Sequence, residues 1–219
     1  MNREFRLTED GSQTMYVNEL DEAYHSIHGA IQESMHVFIN HGFHNIRKSP
    51  LRVLEMGLGT GLNLILTLLE SEKLGIDVYY HAVEKYPLVP SEYNMLNFEK
   101  IISCSPKGRL VKMHEALWEE DFNLTENFLI HKEKADFRSM NPSGKFNLVY
   151  FDAFAPDKQP QLWTAEIFSK LHVLLDPEAI LVTYTSKGSV RRALISCGFE
   201  VIKLPGPPGK WEMIRATKR

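Results

Sequence analysis

Three glycines at alternate positions and four strand-end carboxylates are the residues of this chain whose types and spacing could do chemistry. Gly57, Gly59 and Gly61 stand between a short apolar run, Leu51 to Leu54, and the helically spaced Leu62, Ile65, Leu66 and Leu69. Lacking Cβ atoms, they let the chain turn tightly and a ligand approach the backbone. Glu55 precedes them, and Glu84, Asp136 and Asp152 each close or follow an apolar run. An acid at the end of a second strand can accept hydrogen bonds from both hydroxyls of a ribose. The alternative is an acid that caps a helix or faces solvent. In Asp136-Phe137 a carboxylate could take the exocyclic amine of adenine while a backbone N–H meets a ring nitrogen. Asp152, after the buried strand Phe146–Phe151, would face the same crevice as Gly57 and Glu84.

Those groups converge only if the strands behind them end together. Leu51–Leu54, Asp77–Glu84, Phe146–Phe151 and Ala179–Thr185 read as buried strands, followed by helices at 62–69, 90–98, 163–175 and 189–197. Pro87 and Pro90 open the second of these helices, at a turn where a missing N–H is tolerated. Between them, Arg109–Met113, Phe122–Leu124 and Phe128–His131 read as short strands with a hairpin. Pro156 and Pro160 stiffen the loop after Asp152 and hold Phe154 near the crevice mouth. Phe199–Leu204 and Trp211–Ala216 form an antiparallel pair around Pro205-Gly-Pro-Pro-Gly209. The expected fold is α/β, a mostly parallel sheet with an antiparallel C-terminal strand pair. Residues 1–48 would form an N-terminal cap, with a turn at Asp10–Ser12 and a helix from Tyr24 to Phe43. Residues 49–219 would form the ligand-binding domain.

Composition narrows the class. A hydrophobic content of 43% and 24% charged residues suit a globular protein with a full core. No apolar run nears the roughly 18–20 residues of a membrane span, and the first 30 residues lack the apolar stretch of a signal peptide. Cys104 and Cys197 have no metal-ligand spacing, so both are expected as buried thiols of a cytoplasmic protein. Five histidines crowd the first 48 residues (His25, His28, His36, His41, His44) without a carboxylate or cysteine in register, so no metal is expected. The net charge is −3, yet residues 181–219 carry eight basic side chains against Glu200 and Glu212. A basic C-terminal segment on an acidic chain is a footprint for a polyanion or simply a solvated tail.

The glycine spacing excludes a dinucleotide fingerprint, whose last glycine would fall at Leu62. E-x-G-x-G-x-G is instead the pattern of S-adenosyl-L-methionine (SAM) methyltransferases. Glu55-Met-Gly-Leu-Gly-Thr-Gly-Leu-Asn63, Asp152-Ala-Phe-Ala-Pro-x-Lys-x-Pro160 with Trp163-Thr164, Tyr184-Thr185-x-x-Gly188-x-Val190-Arg-Arg192 and Gly209-Lys-x-Glu-Met213 together resemble the methyltransferase half of the tRNA 5-methylaminomethyl-2-thiouridine biosynthesis enzymes. The resemblance implies a Rossmann-like class I fold. It also implies SAM held by Glu55, Gly57, Gly59, Thr60, Gly61, Asn63, Glu84, Asp136 and Phe137, with Asp152 catalytic. Phe154, Lys158 and Lys210 would meet a tRNA whose wobble uridine carries the 5-aminomethyl acceptor. Gln159 stands where the family usually has Asn, and Trp211 where it usually has Arg. Many members fuse this half to an FAD-dependent oxidoreductase. With no room for one here, the expectation is a free-standing enzyme using neither FAD nor metal, fed by a separate upstream enzyme. Asp152 could accept the amine's proton or bind the amino group of SAM. An aminopropyltransferase of the spermidine-synthase type and a non-catalytic RNA-binding module are the competing readings. The first lacks its usual extra acidic residue in Gly57–Gly61, and the second has no need of Glu84, Asp136 and Asp152 together.

Overall fold

In the computed structural model, which describes residues 2–102 and 107–219, the apolar run before the glycine loop is strand β4 (Leu51–Met56). β5 (Val78–Val83) and β8 (Phe146–Phe151) pair with it in parallel on either side. β7 (Phe128–Glu133) extends the sheet beyond β5 and β9 (Leu175–Thr183) beyond β8, again in parallel. Both edges are antiparallel: β6 (Asp121–Thr125) lies on β7, while β11 (Glu212–Lys218) lies on β9 and carries β10 (Phe199–Pro205). The order is β10-β11-β9-β8-β4-β5-β7-β6. The winding direction reverses between β4 and β8, which opens a crevice at the carboxyl ends of these strands.

Alternate residues of the central strands feed separate cores on the two faces. Val53, Leu148 and Tyr150 face α2 (Leu62–Leu74) and α1 (Ala30–Ser34), the latter prolonged by a π-helical turn, Met35–Asn40. Leu54, Met56, Val149 and Phe151 face α6 (Ala165–Leu174) and α7 (Gly188–Ser196). The remaining N-terminal residues form a separate antiparallel sheet, β1 (Arg3–Leu7), β2 (Gln13–Val17) and β3 (Glu22–Ala23). Among the described residues no helix is long and apolar enough to cross a membrane.

Several local expectations are corrected. The helix expected from Tyr24 begins only at Ala30, because Glu22 and Ala23 pair with β2 and Gly29 takes φ 135°. Arg109–Met113 is not a strand but the start of α5 (Arg109–Glu115), which buries Leu110, Met113 and His114 at helical spacing. The Glu99 carboxylate caps its start, accepting from the N–H groups of Gly108 and Leu110 at 2.7 Å each. The helix expected through Phe98 is two single turns, α3 (Pro90–Tyr93) and α4 (Phe98–Ile101). Between them Asn97 is drawn to the N-terminal sheet, accepting from Gln13 N–H and donating to the Gly11 carbonyl. Cys197 is half-buried rather than buried, with Sγ 3.2 Å from the Ala165 carbonyl. Cys104 lies outside the described residues.

Candidate active site

The loop between β4 and α2 is shaped by close approach. Gly57 has φ 100°, and a Cβ there would stand 2.6 Å from the carbonyl oxygen of Asp152. Gly61 has φ 76°, and a Cβ would meet Met113 at 2.1 Å. The N–H groups of Gly57 and Leu58 donate to the Val83 carbonyl, tying the loop to the end of β5. Glu84, the next residue, accepts from the N–H of Gly59 at 3.0 Å and of Tyr86 at 2.7 Å. Thr60 is held from two sides: its hydroxyl shares a 2.7 Å hydrogen bond with His25 Nε2, and its carbonyl accepts from His114 Nε2 at 3.1 Å. Burial pushes both imidazoles down to about 4, so they are neutral at ordinary pH. Lys132 donates to the carbonyls of Met113 and His114, closing α5 and fixing His114 beneath the loop.

Above this loop lies a cavity of about 400 Å³, walled by the sheet's carboxyl end, the N-terminal segment and the β10–β11 hairpin. Asp152 faces into it. Asn63, at the start of α2, donates through Nδ2 to Asp152 Oδ2 at 2.9 Å and to Glu55 Oε1 at 3.0 Å. Burial pushes the Asp152 carboxyl up to about 7, with the Glu33 carboxylate adding to the rise and the Asn63 hydrogen bond opposing it. Glu55 is fully buried, and burial pushes its carboxyl well above the usual carboxylate range. Its Oε2 and the hydroxyl of nearby Tyr80 make no hydrogen bond of ordinary geometry. Glu33, buried on α1, accepts from Ser26 N–H and from the Lys210 ammonium, which lies 4.1 Å from the ring centre of Tyr184.

Of the residues singled out from sequence, Gly57, Gly59, Thr60, Glu84, Asp136, Phe137, Asp152, Phe154 and Lys210 line this cavity. Glu55 and Asn63 stand behind Asp152, and Gly61 packs under the loop. Lys158 is outside the lining and pairs with Asp21 of the N-terminal segment at 3.2 Å. Asp136 reaches the cavity with both oxygens engaged, by Arg138 and by Lys85, and these hydrogen bonds hold its carboxyl well below the usual range. Phe154 packs edge-on against Tyr24 at 5.0 Å. Sequence reasoning missed Tyr24, His25 and Glu33, the contribution of residues 1–48. The available signal was Glu33, a charge on the face of α1 that also buries Ala30 and Ser34. Among the described residues no group of three or more His, Cys, Asp or Glu is arranged to hold a metal.

Comparisons with known proteins agree with this geometry. Residues 110–219 match a family described as S-adenosyl-L-methionine-dependent methyltransferase. Over 99% of its length the chain is 30% identical to the tRNA 5-methylaminomethyl-2-thiouridine biosynthesis bifunctional protein MnmC of Pseudomonas syringae pv. tomato. It is 29% identical to the protein of the same name from Pseudomonas savastanoi pv. phaseolicola. It spans 35% of the length of each of these relatives. Among solved structures, MNMC2 from Aquifex aeolicus is similar over 100% of this chain and 70% of its own, with a TM-score of 0.82 and 27% identity. A methyltransferase from Pyrococcus furiosus, at TM-score 0.50 and 14% identity over 80% of this chain and 79% of its own, shares the fold.

Proposed function

The chain belongs to the S-adenosyl-L-methionine-dependent methyltransferase family, and we propose that it methylates the primary amine of a 5-aminomethyl group on a wobble uridine or 2-thiouridine of tRNA. The observation that carries this reading is Asp152, a carboxyl held at about 7 inside a cavity large enough for a nucleotide-type ligand and walled by further groups that suit a cation.

The residues present suit the cofactor. Gly57 and Gly59 leave no room for a Cβ between the loop and its neighbours, so the backbone itself forms that wall of the cavity. Glu84 offers a carboxylate at the end of β5 for the ribose hydroxyls, and Asp136 with Phe137 would take the adenine. When bound, SAM supplies an electrophilic methyl group on a sulfonium.

The remaining work is to hold a neutral amine in line, so positioning dominates. An alkylamine with a pKa near ~10.4 is charged at neutral pH, and freeing its lone pair there costs roughly 4.6 kcal/mol. Asp152 is matched to that task, because a carboxyl near 7 accepts a proton more readily than an ordinary one. Asn63 fixes Asp152 Oδ2 and leaves Oδ1 for the substrate. Glu33 and the face of Tyr184 already hold an ammonium, that of Lys210, and walls of this kind suit a cationic substrate. Residues 1–48 act as a cap that completes these walls. The amine must be installed first, by a reaction that leaves a primary amine on the C5 methylene, and both steps take place in the cytosol where tRNA is modified.

The test offers three acceptors to the purified chain with SAM: an RNA stem–loop carrying 5-aminomethyluridine, the same RNA with plain uridine, and an aliphatic diamine. Methylation of the first alone is expected. Equal methylation of plain RNA would overturn the amine assignment. A parallel reaction gives the diamine decarboxylated SAM as donor, and turnover there would favour an aminopropyltransferase.

A further inference from the structure

The β10–β11 hairpin presents Trp211 to solvent with 97% of its surface exposed, although the neighbouring Lys210 and Gly209 line the cavity. Of the other tryptophans, Trp163 is buried and Trp118 half-buried. The hairpin that carries it is regular. Its strands stay in register up to Pro205 and Glu212, and the tip is closed by Gly206 N–H to the Trp211 carbonyl and Lys210 N–H to the Pro207 carbonyl. Three prolines between 205 and 208 restrict it further. The tip is pinned to the N-terminal segment by His36 Nε2 on the Pro205 carbonyl and by Lys210 on Glu33. The backbone is therefore fixed at the cavity rim while the largest side chain on it touches almost nothing.

We infer that Trp211 is a stacking platform for an unpaired nucleobase next to the one that enters the cavity. This rests on the reading that the substrate is an RNA. A base whose substituent must reach Asp152 inside the cavity has to leave its own stack, which strips one face of its neighbour. An exposed aromatic plane carried on a fixed backbone at the rim replaces that lost partner, and stacking of this kind accepts any base. Residues 181–219, which include the hairpin, hold eight Lys and Arg against two Glu; Lys187, Lys203, Lys210 and Arg219 are paired with carboxylates, while Arg191 and Arg192 stand exposed on α7, which suits the accompanying phosphates. Two further partly apolar residues of the lining, Ile27 at 55% and Tyr86 at 44% exposure, extend the rim.

The experiment measures methylation of an RNA stem–loop carrying 5-aminomethyluridine in its loop, and of the free 5-aminomethyluridine nucleoside, by wild type, Trp211→Ala and Trp211→Phe. Trp211→Ala should raise KM for the stem–loop about 10-fold, the lower part of the range for one stacked base. Its kcat and its KM for the nucleoside should stay at the wild-type values, and Trp211→Phe should recover most of the loss. Binding of the stem–loop should quench tryptophan emission in wild type and leave it unchanged in Trp211→Phe. An unaltered stem–loop KM in Trp211→Ala overturns the inference while leaving the function standing. An equal rise for nucleoside and stem–loop also overturns it, by placing Trp211 in the cavity. So does a wild-type dimer that dissociates in Trp211→Ala with no change in KM. A wild-type protein that methylates neither acceptor removes the proposed function, and the inference with it.

Discussion

Replacing Asp152 by Asn should stabilise the protein at the same time as it slows turnover sharply. The carboxyl is held at about 7 against an ordinary 3.8 because it is buried beside Glu33. Each tenfold change in acidity is about 1.4 kcal/mol, so the folded state is disfavoured by up to about 4 kcal/mol once the group is fully ionised. Solvent reaching Asp152 from the cavity lowers this to about 2 kcal/mol, or about 4–8 °C in Tm for a chain of this size. The sign follows from the raised pKa. Below pH 4 the carboxyl is neutral in both folded and unfolded states, and the variant gains little. Between pH 4 and 7 the unfolded chain ionises while the folded one resists, so wild type loses stability relative to the variant. Above pH 7 the difference is constant. Thermal unfolding at pH 4.5 and pH 8 measures it directly, with the Asn63 contact retained through the amide oxygen. Methyl-transfer rates should fall by about 10²–10⁴-fold, the range for a general base, with partial recovery at higher pH as more substrate amine becomes neutral. A variant no more stable than wild type at pH 8 would show that Asp152 is not a strained acid. Undiminished turnover would show that it is not the base. A loss confined to cofactor affinity would reassign it to the SAM amino group.

Glu84→Ala should weaken SAM binding by roughly 1.5–3 kcal/mol, the value of hydrogen bonds to a charged group, and calorimetry showing unchanged affinity would remove it from the ribose site. Lys158 is paired with exposed Asp21, a contact worth little to stability. Lys158→Ala should therefore leave Tm unchanged while weakening tRNA binding and lowering the slope of log affinity against log salt by about 1; an unaltered slope would exclude it as a phosphate contact. Lys210, in contrast, is engaged by Glu33 inside the cavity, and its loss should act on turnover more than on salt dependence.

Sequence was informative where one local rule decided the outcome. The central strands read as apolar runs because burial on both faces demands it, and Gly57 announced a turn that tolerates no Cβ. It failed where a distant partner decided. Arg109–Met113 has apolar residues compatible with strand or helix, and the choice falls to Glu99 capping α5 from ten residues upstream. Asn97 breaks the helix after Pro90 because the N-terminal sheet binds its amide. The same holds for the cavity. Glu84, Asp136 and Asp152 were visible as strand ends, whereas Tyr24 and His25 line it because Gly29 delays the helix that would have carried them, and Glu33 follows on α1. Asn63 stood out within the loop motif, but its bridge between Glu55 and Asp152 depends on the register of β4 against β8.

The central claim is that the Asp152 cavity transfers a methyl group to an amine on tRNA. Its most direct test incubates the purified chain with SAM labelled in the methyl group and with tRNA bearing unmethylated 5-aminomethyl-2-thiouridine, then separates the digested nucleosides by mass. The account predicts label in the 5-methylaminomethyl nucleoside and nowhere else, falling about 10²–10⁴-fold with Asp152→Asn. Label on a ring carbon or a ribose oxygen would contradict it, as would unlabelled tRNA from a sample in which SAM is bound.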